Sequence, residues 1–201
     1  MKIFLRYIYD KFLKKNRILW EMVVRIYYYS GYPIYIFCKM TKKPYVGSYL
    51  FSDQEAGRER LKITKLILKK IKKKKINILE LGVFCGQNTL SISKEILNVK
   101  VDHFCVDLFN AYEISDINND FRYKKCNENL RNQNVYNLFS HNLKTIKKER
   151  GNIRFFVKKM TTRNFFVKNS KKFDLIIIDA SHQFNFVYKD IISSKKILNN
   201  N

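Results

Sequence analysis

Three short stretches of the chain hold residues whose types and spacing could do chemistry. The first is Glu80-Leu81-Gly82-Val83-Phe84-Cys85-Gly86-Gln87-Asn88-Thr89. Gly82 permits a tight turn and the close approach of a ligand to the backbone. Gly86 lets a following helix pack close to the preceding strand, and the N-terminus of that helix offers free amides and a positive dipole end to a carboxylate or phosphate. The spacing is GxxxG with an acid two residues ahead, not the GxGxxG of dinucleotide sites. Glu80 would repel a pyrophosphate and welcome a cationic amine. A ligand carrying both an amine and a carboxylate therefore fits better than a nicotinamide dinucleotide. The second stretch, His103-Phe104-Cys105-Val106-Asp107, ends in an acid that can accept from both hydroxyls of a ribose, or simply cap its strand. The third, Phe173-Asp174-Leu175-Ile176-Ile177-Ile178-Asp179, ends in another acid and is followed three residues later by His182.

The elements that must position these residues alternate along the sequence. Short apolar runs predict strands over 76–81, 101–108, 153–157 and 173–179, and helical stretches follow them at 89–97, 119–132, 163–168 and 186–198. Strands alternating with helices imply βαβ units and a parallel sheet. The order expected is 3-2-1-4, which puts the carboxyl ends of strands one and four beside a switch point, where such sheets bind ligands. The run Leu175–Ile178, apolar on both faces, reads as a central parallel strand. Ahead of the sheet, Ser52 and Glu55 form a capping box for a helix reaching about Ile71, with Leu61, Thr64, Leu68 and Ile71 on one face. The Asn-rich region 111–151 has no element that its pattern places well.

S-adenosylmethionine carries an amine and a carboxylate on its methionine end, and the motifs resemble those of class I S-adenosylmethionine-dependent methyltransferases. The segment Phe173–Phe184, with Val187 and Asp190, resembles the "DLIFIDGxHxYxxVxxD" stretch of the branch that includes macrocin-type sugar O-methyltransferases, with Ala180 in place of its usual Gly and Phe184 in place of its Tyr. The resemblance covers about 50–198. It implies a Rossmann-like α/β sheet with helices on both faces. It implies that Glu80, Gly82, Val83, Phe84 and Gly86 hold the methionine end, that Asp107 holds the ribose, and that Met160 and Thr161 lie near the adenine. It places Asp179 beside the cofactor and, in metal-dependent members, on Mg²⁺, with His182 as general base. A hard cation wants carboxylate oxygens and can lower the pKa of a sugar hydroxyl, and a histidine titrating near neutrality can take the proton. The family's helix after this histidine leads to a Gly-Gly turn, a fifth strand and an Asp pair that completes the metal site. Here the sequence ends at Asn199-Asn200-Asn201, so a sheet lacking its later strands is expected.

Composition sets the outer bounds. The chain has 201 residues, 46% of them hydrophobic, which excludes a disordered chain and suffices for one domain with an extension. The expected division is a basic, aromatic, helical extension over 1–45 and a cofactor-binding domain over 46–201. The formal charge of +23 is uneven, with 20 basic and 5 acidic residues in 1–75 against 20 and 12 thereafter. Lys, Asn, Ile, Phe and Tyr are all abundant while Gly and Pro are scarce, a bias that yields such a charge without any polyanionic partner. Nucleic-acid binding has charge behind it but no motif. Residues 2–29 alternate aromatic and basic positions, so the extension could lie on an anionic membrane surface or pack as a cap on the main domain. The stretch 20–38 is interrupted by Glu21, Arg25, Gly31 and Pro33 and does not read as a spanning helix.

The four cysteines, Cys38, Cys85, Cys105 and Cys126, contain no CxxC pair and read as reduced thiols of a cytoplasmic protein rather than zinc ligands, with Cys85 a packed thiol. His103 reads as strand filler and His141 as a loop residue. Three functions follow as expectations: methyl transfer to a hydroxyl of a small-molecule, sugar or glycan acceptor; a truncated, non-catalytic relative; or a basic membrane-surface or nucleic-acid binder. A fourth strand left at the sheet edge also leads to an expectation of self-association there.

Overall fold

A computed structural model describes residues 54–96, 98–109, 135–181 and 183–199, with isolated positions before residue 43. The extension over 1–45 and the helix expected at 119–132 fall essentially outside the described residues. So do Ser52 of the capping box and His182.

The chain runs α1 (Gln54–Lys70), β1 (Lys75–Leu81), α2 (Gln87–Glu95), β2 (Lys100–Asp107), α3 (Val135–Glu149), β3 (Ile153–Lys159), α4 (Thr162–Lys168), β4 (Leu175–Ile178) and α5 (Phe184–Ile197). The four strands form one parallel sheet in the order β3-β2-β1-β4, as the alternating pattern predicts. β1 sits at its centre and is almost wholly buried because both its faces are covered. On one face, Ile76 and Ile78 of β1 and Val101 of β2 pack with Ile92 and Ile96 of α2, and with Leu68 and Ile71 at the end of α1. On the other face, Leu79 and Leu81 of β1 and Phe104 and Val106 of β2 pack with Phe165 of α4 and Ile197 of α5. The period-two alternation of strand side chains thus feeds two separate cores. The half-buried face of α1 is the expected one, Leu61, Thr64, Leu68 and Ile71, while Ile63 and Leu66 are exposed. An ion pair of 2.9 Å between Lys65 and Glu95 ties α1 to α2.

Two features differ from expectation. The helix packed against the loop after β1 and against side chains of β2 and β3 is α3, at 135–149 in the region whose pattern was weak. Its buried stripe is Val135, Leu138, Phe139, Asn142, Leu143 and Ile146, in helical spacing. And β4 is not the enclosed central strand that its run apolar on both faces suggests, but stands at the sheet edge that the expected order 3-2-1-4 gives it. It is four residues long, its Ile176, Ile177 and Ile178 are only half-buried, and β1 is its one partner among the described strands. The same edge is nevertheless engaged just ahead of β4. The chain leaving α5 returns parallel to Phe173, whose N–H donates to Ile197 O at 2.8 Å and whose carbonyl accepts from Asn199 N at 2.7 Å.

Candidate functional site at the carboxyl ends of the strands

Backbone hydrogen bonds draw the four strand ends into one row. Gly82 N donates to Val106 O at 2.9 Å, Met160 N to Asp107 O at 3.1 Å, and Asp179 N to Leu81 O at 2.7 Å. Gly82, Asp107, Met160 and Asp179 therefore lie side by side across the sheet, where parallel strands leave their carboxyl ends for ligands.

Asp107 organises the loop between β1 and α2. Its Oδ2 accepts the backbone N–H groups of Val83 at 2.7 Å and Phe84 at 2.8 Å, and its Oδ1 accepts that of Phe109 at 2.6 Å. Phe84 and Phe109 both sit in the left-handed region, with φ of 49° and 54°. Such backbone costs on the order of 1–3 kcal/mol per residue and persists only where surrounding contacts impose it. Here the carboxyl group supplies those contacts. A carboxylate has about four acceptor positions, so three are taken by the chain itself.

The two glycines of the loop answer to the protein's own packing. Gly82 has a φ of 82°, and a Cβ on it would lie 2.2 Å from the carbonyl oxygen of Asp179 and 2.4 Å from Cα of Ala180. What approaches Gly82 closely in this fold is the segment leaving β4. Gly86, with a φ of 84°, begins α2, and its missing side chain makes room for the ring of Phe139, 2.9 Å from where a Cβ would be. The close partner that Gly86 admits is thus α3. The turn closes with Gly86 N donating to Val83 O at 2.8 Å, and Asn142 of α3, fully buried, donates to Cys85 O at 2.6 Å.

The remaining candidates divide. Asp179 follows β4, and its Oδ2 accepts from Asn88 Nδ2 in the first turn of α2 at 3.0 Å. Met160 packs at the edge of the core beneath α4, and Thr161 caps α4 by accepting from Asn164 N at 3.2 Å. Val83 and Cys85 are buried. Glu80 does not open on the row of strand ends. It is fully buried on the face under α2 and α3, where Oε2 accepts from Thr89 Oγ1 at 2.7 Å and lies 3.1 Å from His103 Nε2. His103 is equally buried, with its ring 5.5 Å from that of Phe155. The thiol of Cys105, which pairs in register with Glu80, is pushed well up by burial and by the neighbouring Glu80 carboxyl.

The fit to Mg²⁺ is poor. Among the described residues the one grouping of three metal-ligating side chains is Glu80, His103 and Cys105, which does not include Asp179. Asp179 is bonded to Asn88 and belongs to no group of three, so the described residues offer no assembled set of oxygen ligands to fix a hard cation in place.

Phe139, Asn142, Thr89 and His103 are site-supporting residues to which the motifs assign no such role. The stripe of α3 was the available signal for the first two. For Thr89 and His103 it was the presence of polar residues at positions of a strand and helix that must face a core.

No curated protein matches the sequence. Among solved structures, an O-methyltransferase from Bacillus cereus in complex with SAH aligns over 96% of this chain and 67% of its own, with 14% identity and a TM-score of 0.36. Residues 79–201, which hold every strand-end residue described above, match a family described as a methyltransferase domain, and the chain belongs to that family.

Proposed function

We propose that the chain binds S-adenosylmethionine along the carboxyl ends of β1 to β4 and transfers its methyl group to a hydroxyl, most suitably that of a sugar or glycan intermediate. The observation that carries this reading is the row Gly82, Asp107, Met160 and Asp179, brought together by backbone hydrogen bonds within a methyltransferase-domain family match. In this reading the loop 82–86 and the amides opening α2 receive the methionine end of the cofactor. Asp107 takes a ribose hydroxyl with the acceptor position its backbone partners leave, and a second hydroxyl only if one of them yields. Met160 and Thr161 border the adenine. Asp179 faces the methionine amine, held by Asn88, and His182 takes the acceptor's proton. Methyl transfer is an in-line displacement, in which positioning contributes most of the rate. The acceptor binds beside β4, and the open length of that strand also suits self-association.

A cofactor-binding relative without turnover is the second reading. The observation that favours it is Asp179, which belongs to no group of three or more potential metal-ligating side chains among the described residues. Incubation of the full chain with methyl-labelled S-adenosylmethionine and a panel of sugars decides between the two. Label in a sugar product, lost in His182→Ala, supports transfer. Saturable cofactor binding with no labelled product supports the second reading.

A further inference from the structure

Glu80, His103, Thr89 and Cys105 form a polar cluster between the sheet and α2, each of them with at most 1% of its surface exposed. It is incompletely satisfied. Glu80 Oε1 and His103 Nδ1 have no hydrogen-bond partner, and His103 Nε2 approaches Glu80 Oε2 to 3.1 Å without hydrogen-bond alignment. Buried polar groups of this kind cost free energy and need a reason to persist. The cluster has a route to the strand ends. Thr89, which donates to Glu80, stands in the first turn of α2, where Leu90 N donates to Gly86 O at 2.9 Å. Its chain neighbour Asn88 holds Asp179 Oδ2 at 3.0 Å.

We propose that Glu80 and His103 are a buried positioning pair: His103 seats the Glu80 carboxyl, and Glu80 holds Thr89 and so sets the first turn of α2 and Asn88 against Asp179, without touching the cofactor. This rests on the reading that the strand ends bind S-adenosylmethionine, and it gives Glu80 a role other than contact with the ligand's amine. The donor atoms of Glu80, His103 and Cys105 lie within 4.8 Å of one another, a set that could suit zinc. The positioning pair accounts for the same groups without a fourth ligand or a path for an ion to a site with no exposed surface.

The test measures S-adenosylhomocysteine affinity by titration calorimetry on the full chain. Glu80→Gln keeps an oxygen for Thr89 and should bind within about threefold of wild type. His103→Phe leaves the carboxyl buried without its imidazole and should bind about tenfold more weakly. Adding Glu80→Gln to His103→Phe should restore most of that loss, because removing both members of a pair costs less than stranding one. If Glu80 instead contacts the amine, Glu80→Gln alone loses tenfold or more and the double variant is weaker than either, which overturns the proposal. Should His103→Phe not fold, Thr89→Ser binding like wild type while Thr89→Val loses about tenfold supports it, and equal affinity of those two overturns it. One equivalent of zinc retained by purified wild type and absent from Cys105→Ala would also overturn it. A wild-type chain that binds no S-adenosylhomocysteine overturns the underlying reading as well, whereas binding without rescue overturns this inference alone.

Discussion

Oδ2 of Asp107 accepts the N–H of Val83 at 2.7 Å, so the acid that ends β2 shapes the loop that follows β1. The sequence motif suggests a ligand contact for this acid, and the fold gives it a structural duty first. Asp107→Asn turns one acceptor oxygen into a donor facing backbone N–H groups. Leaving such groups unsatisfied costs about 1–3 kcal/mol, which in a chain of this size lowers Tm by roughly 2–12 °C. Thermal melts followed by circular dichroism check this. A variant that melts with wild type would show that the three amides do not depend on the carboxylate.

Gly82→Ala should be more damaging than its size suggests. The new methyl must occupy a left-handed backbone position and a space 2.2 Å from the carbonyl oxygen of Asp179. Strain alone costs on the order of 1–3 kcal/mol, before β4 is displaced from β1. The expected outcome is a poorly soluble or strongly destabilised protein, read by soluble yield and Tm. The motif alone implies a different outcome, an intact fold with a blocked ligand site. Finding that outcome would mean the segment after Asp179 is not packed on Gly82.

Asn142→Leu tests the support that α3 gives to the loop. It removes the 2.6 Å hydrogen bond from Asn142 to the Cys85 carbonyl, and losing such a buried bond costs about 0.5–1.5 kcal/mol. Amides of residues 83–86 should exchange with solvent faster in the variant, measured by hydrogen–deuterium exchange. Unchanged exchange with a lowered Tm would place the role of Asn142 in α3 alone.

Two acids should give stability profiles of opposite sign with pH. Burial pushes the Asp174 carboxyl up, but Lys73, the Asn77 N–H and the Asn199 amide together hold it below its ordinary value of 3.8. Its contribution is present above that pH and is lost as pH falls through the lowered value. Asp190 is pushed above 3.8 by burial, opposed by a hydrogen bond from Thr162, so it weakens the fold as pH rises from 3.8 through the raised value. At neutral pH, Asp174→Asn should therefore melt below wild type and Asp190→Asn at or above it. Both differences should shrink in acid melts below pH 3.8. The same sign for both variants would contradict the assignment.

The sheet was legible because the strands are short, largely apolar runs, three of them closing on Gly82, Asp107 and Asp179, and a parallel order follows from the helices between them. The buried stripe of α3 was obscured by its Asn-rich setting and by Asn142, a polar residue on an apolar face whose reason, the Cys85 carbonyl, lies 57 residues away. Glu80 could be picked out as chemically active, but its burial against Thr89 and His103 could not. Its partners Thr89 and His103 come from a helix and a neighbouring strand, and only the tertiary register brings them together. Likewise, no local signal marks Phe84 as left-handed, because the carboxyl that holds it there belongs to Asp107, 23 residues on.

The most direct test is titration of the full chain with S-adenosylhomocysteine, for wild type and for Asp107→Ala. Saturable binding by wild type at one site, weakened about 10- to 100-fold in a variant that still folds, is the expected result. No binding by wild type, or equal affinity in the two proteins, would contradict a cofactor site built on the ends of β1 and β2.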